Sequence, residues 1–107
     1  MTYKVIYSDD VKRDLAGILK YIGDVLVEPV TAVKQVARIK KAADSLDYMP
    51  FRHRVYDIEP WKSQGIRVFP VDKFLIFYKP DELQNTVTII RILHGSVNIE
   101  KHLSTDN

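Results

Sequence analysis

The chain contains no cysteine. That excludes disulfides, thiolate metal sites and a cysteine nucleophile, and it suits a reducing cytoplasm, where the protein is expected to work. Glycine is scarce, with four residues in 107, and no glycine-rich loop is available to cradle a phosphate. There is no serine-centred nucleophile elbow. No apolar run approaches the roughly 20 residues that a membrane span needs, so no membrane partner is expected. The opening MTYKVIYSDD lacks a basic region followed by an apolar stretch, so no signal peptide is expected. The histidines His53, His94 and His102 share no metal-ligand spacing and have no acidic cluster beside them, so neither a metal nor a cofactor is expected.

What is present is the composition of an ordinary globular chain, long enough for one hydrophobic core and read as one domain over 1–107. The net charge is only +2, but it is unevenly spread. Residues 9–48 carry seven basic and seven acidic side chains. Residues 49–79 carry six basic against three acidic, and residues 80–107 have two against four. The middle third is therefore where an anionic partner would be met.

TYKVIYS reads as a strand, by its β-branched and aromatic content. Ser8 then suits a helix N-cap, and Asp9 and Asp10 suit the positive end of a helix dipole. Val11, Leu15, Ile18, Ile22 and Val25 recur at helical spacing, which predicts a helix over about 9–26. Pro29 can open the next helix, whose stripe is Ala32, Val36, Ile39, Ala43 and Leu46. So short a connection predicts an antiparallel helical hairpin. After Tyr48 the pattern changes to strands: VYDIE as a short one, then IRVFPV, FLIFYK and TVTIIRIL as an antiparallel meander. Pro70 should sit at a sheet edge or beside a bulge. NIEKHL could form a short terminal helix. The fold class expected is α+β: an N-terminal strand and a helical hairpin laid on one face of a curled, mostly antiparallel sheet. The other face is expected to be bare.

Two arginines interrupt otherwise apolar strands. If Ile66, Val68 and Pro70 pack on the helices, alternation puts Arg67 on the bare face. Arg91 in TVTIIRILHG has a similar setting, sharing a face with Val87, Ile89 and Leu93. Two guanidiniums on one face would make a phosphate pocket. The structural alternative is that each pairs with a carboxylate such as Asp57 or Glu59. Histidines near neutral pH could carry protons, and the flanking charges of RHR should depress the pKa of His53. Trp61, in a turn beside Lys62, is the aromatic best placed for an exposed stacking role.

These segments together resemble the RelE/ParE superfamily of bacterial toxins from type II toxin–antitoxin pairs. YKVIYSDDVKRDLAGILKYI is similar to the family's first strand and helix, PVTAVKQVARIKKAADSLDYMP to its second helix, GIRVFPVDKFLIFYKPDE to its core hairpin and VTIIRILHG to its last strand. The resemblance implies a toxin held inactive by a cognate antitoxin. It also implies one of two targets. RelE-like members cleave messenger RNA on the ribosome without metal, leaving a cyclic phosphate. ParE-like members poison DNA gyrase without known catalysis. For the first, slightly favoured on the basic middle segment, the resemblance makes Arg67, Arg91 and His94 catalytic, with Arg52, His53, Arg54 and Lys62 as substrate-binding groups. The chain departs from the pattern after RILHG, where Ser96, Val97 and Asn98 replace a basic or aromatic stretch. A terminal proton carrier would then have to be His94 or His102. A member that only binds its antitoxin is the third reading.

Overall fold

The computed structural model describes residues 2–99 and Lys101. Strand β1 (Lys4–Tyr7) leads into helix α1 (Asp9–Lys20), and α2 (Pro29–Asp44) follows. Strands β2 (Arg67–Val71), β3 (Phe74–Asp81) and β4 (Thr86–His94) complete one sheet in the order β1-β4-β3-β2. β1 runs parallel to β4, and the other pairs are antiparallel. The α+β architecture is the one expected. The terminal helix expected over NIEKHL runs into residues outside those described, and so does His102.

The local signals explain the elements. The Ser8 hydroxyl accepts the Val11 amide at 3.2 Å, capping α1 above Asp9 and Asp10. Pro29 occupies the first turn of α2, where its missing amide proton costs nothing. Between the helices, α1 widens into a π-type segment over Tyr21–Val25, closed by a bond from the Leu26 amide to the Tyr21 carbonyl at 3.0 Å. Widening turns the last residue of the expected stripe, Val25, out to solvent. Pro70 lies on β2, an edge strand, where its missing donor leaves no gap in the ladder with β3.

The sheet is covered on both faces, contrary to the expectation of a bare one. On the helix side, Val11, Ile39, Ala43 and Leu46 pack on Phe74, Ile76, Tyr78, Val87, Ile89 and Ile92. On the other side, Trp61, Ile66, Val68, Phe77 and Leu93 form a second core, with Tyr56 and Ile90 against it. The segment read as the strand VYDIE does this covering. It makes only a single bridge, Val55 to Arg67, and then a turn that brings Trp61 over Phe77, with ring centroids 4.8 Å apart. Trp61 is therefore fully buried, not exposed, because the indole has more apolar surface to hide than any other side chain in the turn.

β4 carries a bulge. Tyr78 pairs with Ile89 and Phe77 with Arg91, so Ile90 is an extra residue in the ladder. The slip moves Ile92, rather than Arg91, onto the side of Val87 and Ile89. The chain after β1 closes over this irregularity. The Ser8 amide donates to the Ile89 carbonyl at 3.3 Å and the Ser8 hydroxyl to the Ile90 carbonyl at 3.2 Å.

Val27, between the helices, has φ 55° and is 76% exposed. A β-branched side chain in the left-handed region costs on the order of 1–3 kcal/mol, and here no burial offsets it. Val27→Asn should therefore raise stability by about 1 kcal/mol, read as a higher urea midpoint at unchanged slope.

Candidate functional site

Arg67 begins β2, opposite Tyr78. Its strand neighbours Phe69 and Val71 pack against the helix-side core, while Ile66 and Val68 belong to the opposite one. The assignment of faces in the sequence reading is thus inverted. Arg67 leans over the Phe51 ring, 4.9 Å from guanidinium carbon to centroid, and donates to the carbonyls of Phe51 at 3.2 Å and His53 at 2.6 Å. Its partners are backbone carbonyls, not Asp57 or Glu59.

Arg91 lies opposite Phe77, whose ring is in the second core, so the two arginines do not converge on one face. Its Nε donates to Asp14 Oδ2 at 2.8 Å and a second guanidinium nitrogen to Asp14 Oδ1 at 2.8 Å. The side chains are 15% and 11% exposed. Asp14 also accepts the Ile92 amide at 3.0 Å. A carboxylate on α1 thus completes the edge of β4 beyond the end of β1 while holding the guanidinium bidentately.

His94 is four residues along the ladder from Arg67, counted on β3 from Phe74 to Tyr78, or about 13 Å at strand rise. Its ring meets Phe74 edge-on, and its Nδ1 accepts the Ser96 amide at 3.1 Å with the Ser96 hydroxyl at 2.7 Å. Arg67, Arg91 and His94, the expected catalytic set, are held in three separate places. Lys62 is on the turn of the second core, 3.1 Å from Asp57, whose hydrogen bond and charge raise its pKa.

Arg52 and His53, in contrast, do join Arg67. His53 stacks flat on Phe69, centroids 3.9 Å apart, with the Arg52 guanidinium carbon 5.8 Å from the same ring. Arg52 donates to the carbonyls of Ser45, Tyr48 and Met49 and to the Ser45 hydroxyl. The Tyr78 hydroxyl donates to the Pro50 carbonyl at 2.7 Å. Arg54 extends into solvent, its side chain without a partner among the described residues. The product is a clamped loop, 48–53, whose carbonyls face inward to donors while Tyr48, Met49 and Phe51 face out. With Tyr3, Pro50 and Arg52 they line a cleft of about 410 Å³. Of these residues only Arg52 is among the site candidates expected from the sequence; Tyr3, Tyr48, Met49, Pro50 and Phe51 are not. The available signal was three large apolar side chains around a proline, YMPF, in a segment with no strand or helix period.

Burial, and secondarily the Arg52 charge, lowers the pKa of His53 below 6.5. The direction is the one expected, although desolvation outweighs the flanking charge. Among the described residues there is no group of three histidine, aspartate or glutamate side chains placed to hold a metal ion. No helix among them is long and apolar enough to cross a membrane.

A sequence model of the ParE toxin of the type II toxin–antitoxin system parDE matches residues 5–99. The chain belongs to the ParE toxin family. The fold agrees with solved relatives. A chain from the chromosomal ParDE toxin–antitoxin system of P. aeruginosa superposes with a TM-score of 0.73 at 18% identity, covering 87% of this toxin and 96% of that chain. A chain from the RelBE2 toxin–antitoxin complex of Mycobacterium tuberculosis superposes with a TM-score of 0.62 at 21% identity, covering 88% and 99%. No curated protein matches the toxin by sequence.

Two outcomes check this geometry. Asp14→Ala leaves a guanidinium and the Ile92 amide without the carboxylate that holds them, and should lower unfolding free energy by about 3 kcal/mol in urea titrations. The second concerns pH. The depressed pKa of His53 means the unfolded chain binds the proton more readily, so its contribution is present above pH 6.5 and is lost as pH falls through the folded value. Melting temperatures between about pH 5 and 8 should therefore decline on the acid side, and less steeply for His53→Phe, which keeps the stack on Phe69 without titrating.

Proposed function

We propose that this toxin inhibits growth by binding a protein target, DNA gyrase, as ParE-like toxins do, and that a cognate antitoxin holds it inactive. The observation that carries the choice is the bidentate bond between Asp14 and Arg91. Scission of RNA by its own 2′-hydroxyl needs a base, an acid and cations gathered around one phosphate. Here one candidate cation is neutralised by an internal carboxylate and the other is spent on backbone carbonyls. The candidate proton carrier His94 is tied to Ser96 about 13 Å along the strand from Arg67. A surface that acts by contact has no need of such convergence. Membership of the ParE family supports the same reading.

Induced expression in a permissive host, with and without the antitoxin, tests this. Transcript integrity and the DNA-damage response are followed together. The expected result is a damage response with intact messages, relieved by the antitoxin. Messages cut at ribosome-covered codons would establish the ribonuclease reading instead. Unaffected growth would leave a protein that only binds its antitoxin.

A further inference from the structure

Loop 48–53 is built more rigidly than a connection requires. Its carbonyls are held by Arg52, Arg67 and the buried Tyr78. Met49 is forced to φ 49°, a conformation that glycine or asparagine adopts more easily. Yet Tyr48 is 59% exposed, Met49 58% and Phe51 41%. The loop thus spends backbone strain to present three large side chains to solvent rather than to bury them. Tyr, Met, Phe and Arg are the types enriched at protein interfaces, and a pre-ordered loop loses little entropy on docking.

The charge around the cleft says what would fit. Arg52, Arg54 and Arg67 form no ion pair with any carboxylate among the described residues. Asp57 is paired with Lys62, Glu59 is bonded to Ser63, and Asp47, next to Tyr48, pairs with none of the three. Bonds to carbonyls orient the guanidiniums of Arg52 and Arg67 without cancelling their charge. An apolar cleft therefore sits in an uncompensated positive field. A phosphate chain is the poorer fit, since two of the three guanidiniums have already committed donors and the cleft wall is mostly apolar side chain. A second exposed apolar surface, at Val25, Leu26, Val27 and Val30, has Lys20, Asp24, Glu28 and Lys34 around it, and its mixed charge points to no occupant.

We propose that the cleft between Tyr3 and loop 48–53, with Arg52 in its wall and the exposed Arg54 two residues further along the chain, docks a segment of the antitoxin that carries an apolar anchor flanked by carboxylates. This rests on the reading that an antitoxin neutralises the chain. The test uses the full chain and its antitoxin, with dissociation constants from calorimetry. Met49→Asn removes the apolar contact while suiting the left-handed backbone, and Arg54→Glu reverses a side chain that the fold does not use. Each should weaken binding at least about tenfold, a change of about 1.4 kcal/mol, while Val30→Ala at the helical tip stays within about twofold. Unfolding midpoints near that of the parent confirm that the variants are folded. If the antitoxin binds the parent and both variants equally, the docking site is wrong and the toxin reading stands. If the parent binds no antitoxin, both fall. A single-stranded oligoribonucleotide that displaces the antitoxin from the parent, and is itself released by Arg54→Glu, would assign the cleft to RNA and overturn the proposal.

Discussion

Strand β4 lies inside the sheet with an extra residue in its ladder, and the way that irregularity is closed governs the rest of the molecule. Once Ile90 bulges, amides and carbonyls of β4 lose their regular partners, and buried backbone groups cannot be left unpaired cheaply. The start of α1 supplies what is missing. Ser8 bonds to the carbonyls of Ile89 and Ile90, and Asp14 takes the Ile92 amide and the Arg91 guanidinium together. One helical turn and a half therefore caps itself, replaces the missing end of β1 and neutralises a mostly buried cation. Orientation of α1 over the sheet follows from these bonds as much as from the apolar stripe.

The second core has a comparable consequence. With Trp61 packed on Phe77, neither face of the sheet is an open table on which cations could gather. The arginines instead do structural work at the borders of the two cores: Arg91 against α1, Arg67 and Arg52 against the carbonyls of loop 48–53. Guanidinium suits this use because its fork of donors can satisfy several acceptors at once. A surface formed in this way is stiff and positive with apolar side chains at its centre. Those are the properties on which the proposed action by contact would draw.

Much of this was legible from residue pattern. Ser8 as a cap, Pro29 as a helix opener, both helical stripes, Pro70 on an edge strand and the meander all depend on contacts within a few residues, where period and turn chemistry speak directly. The faces of Arg67 and Arg91 were not legible. On β2 the alternation held, since Arg67 shares a face with Phe69 and Val71, but both faces of that strand are apolar and nothing in it says which one meets the helices. On β4 a single bulged residue reverses every assignment beyond it. Ile90 is as apolar as its neighbours, so nothing in TVTIIRIL marks it as the extra residue.

Sequence by itself determined the order and kind of the elements, the helical hairpin, and membership of a toxin family, because each of these is encoded locally or in the succession of segments. Tertiary structure alone decided what the charged and aromatic groups do. The carboxylate that holds Arg91 lies 77 residues away, and the loop that buries Trp61 has no periodicity to announce it. Partner choice for a guanidinium is settled by three-dimensional proximity and by the cost of leaving a buried charge unpaired, and neither quantity is written along the chain.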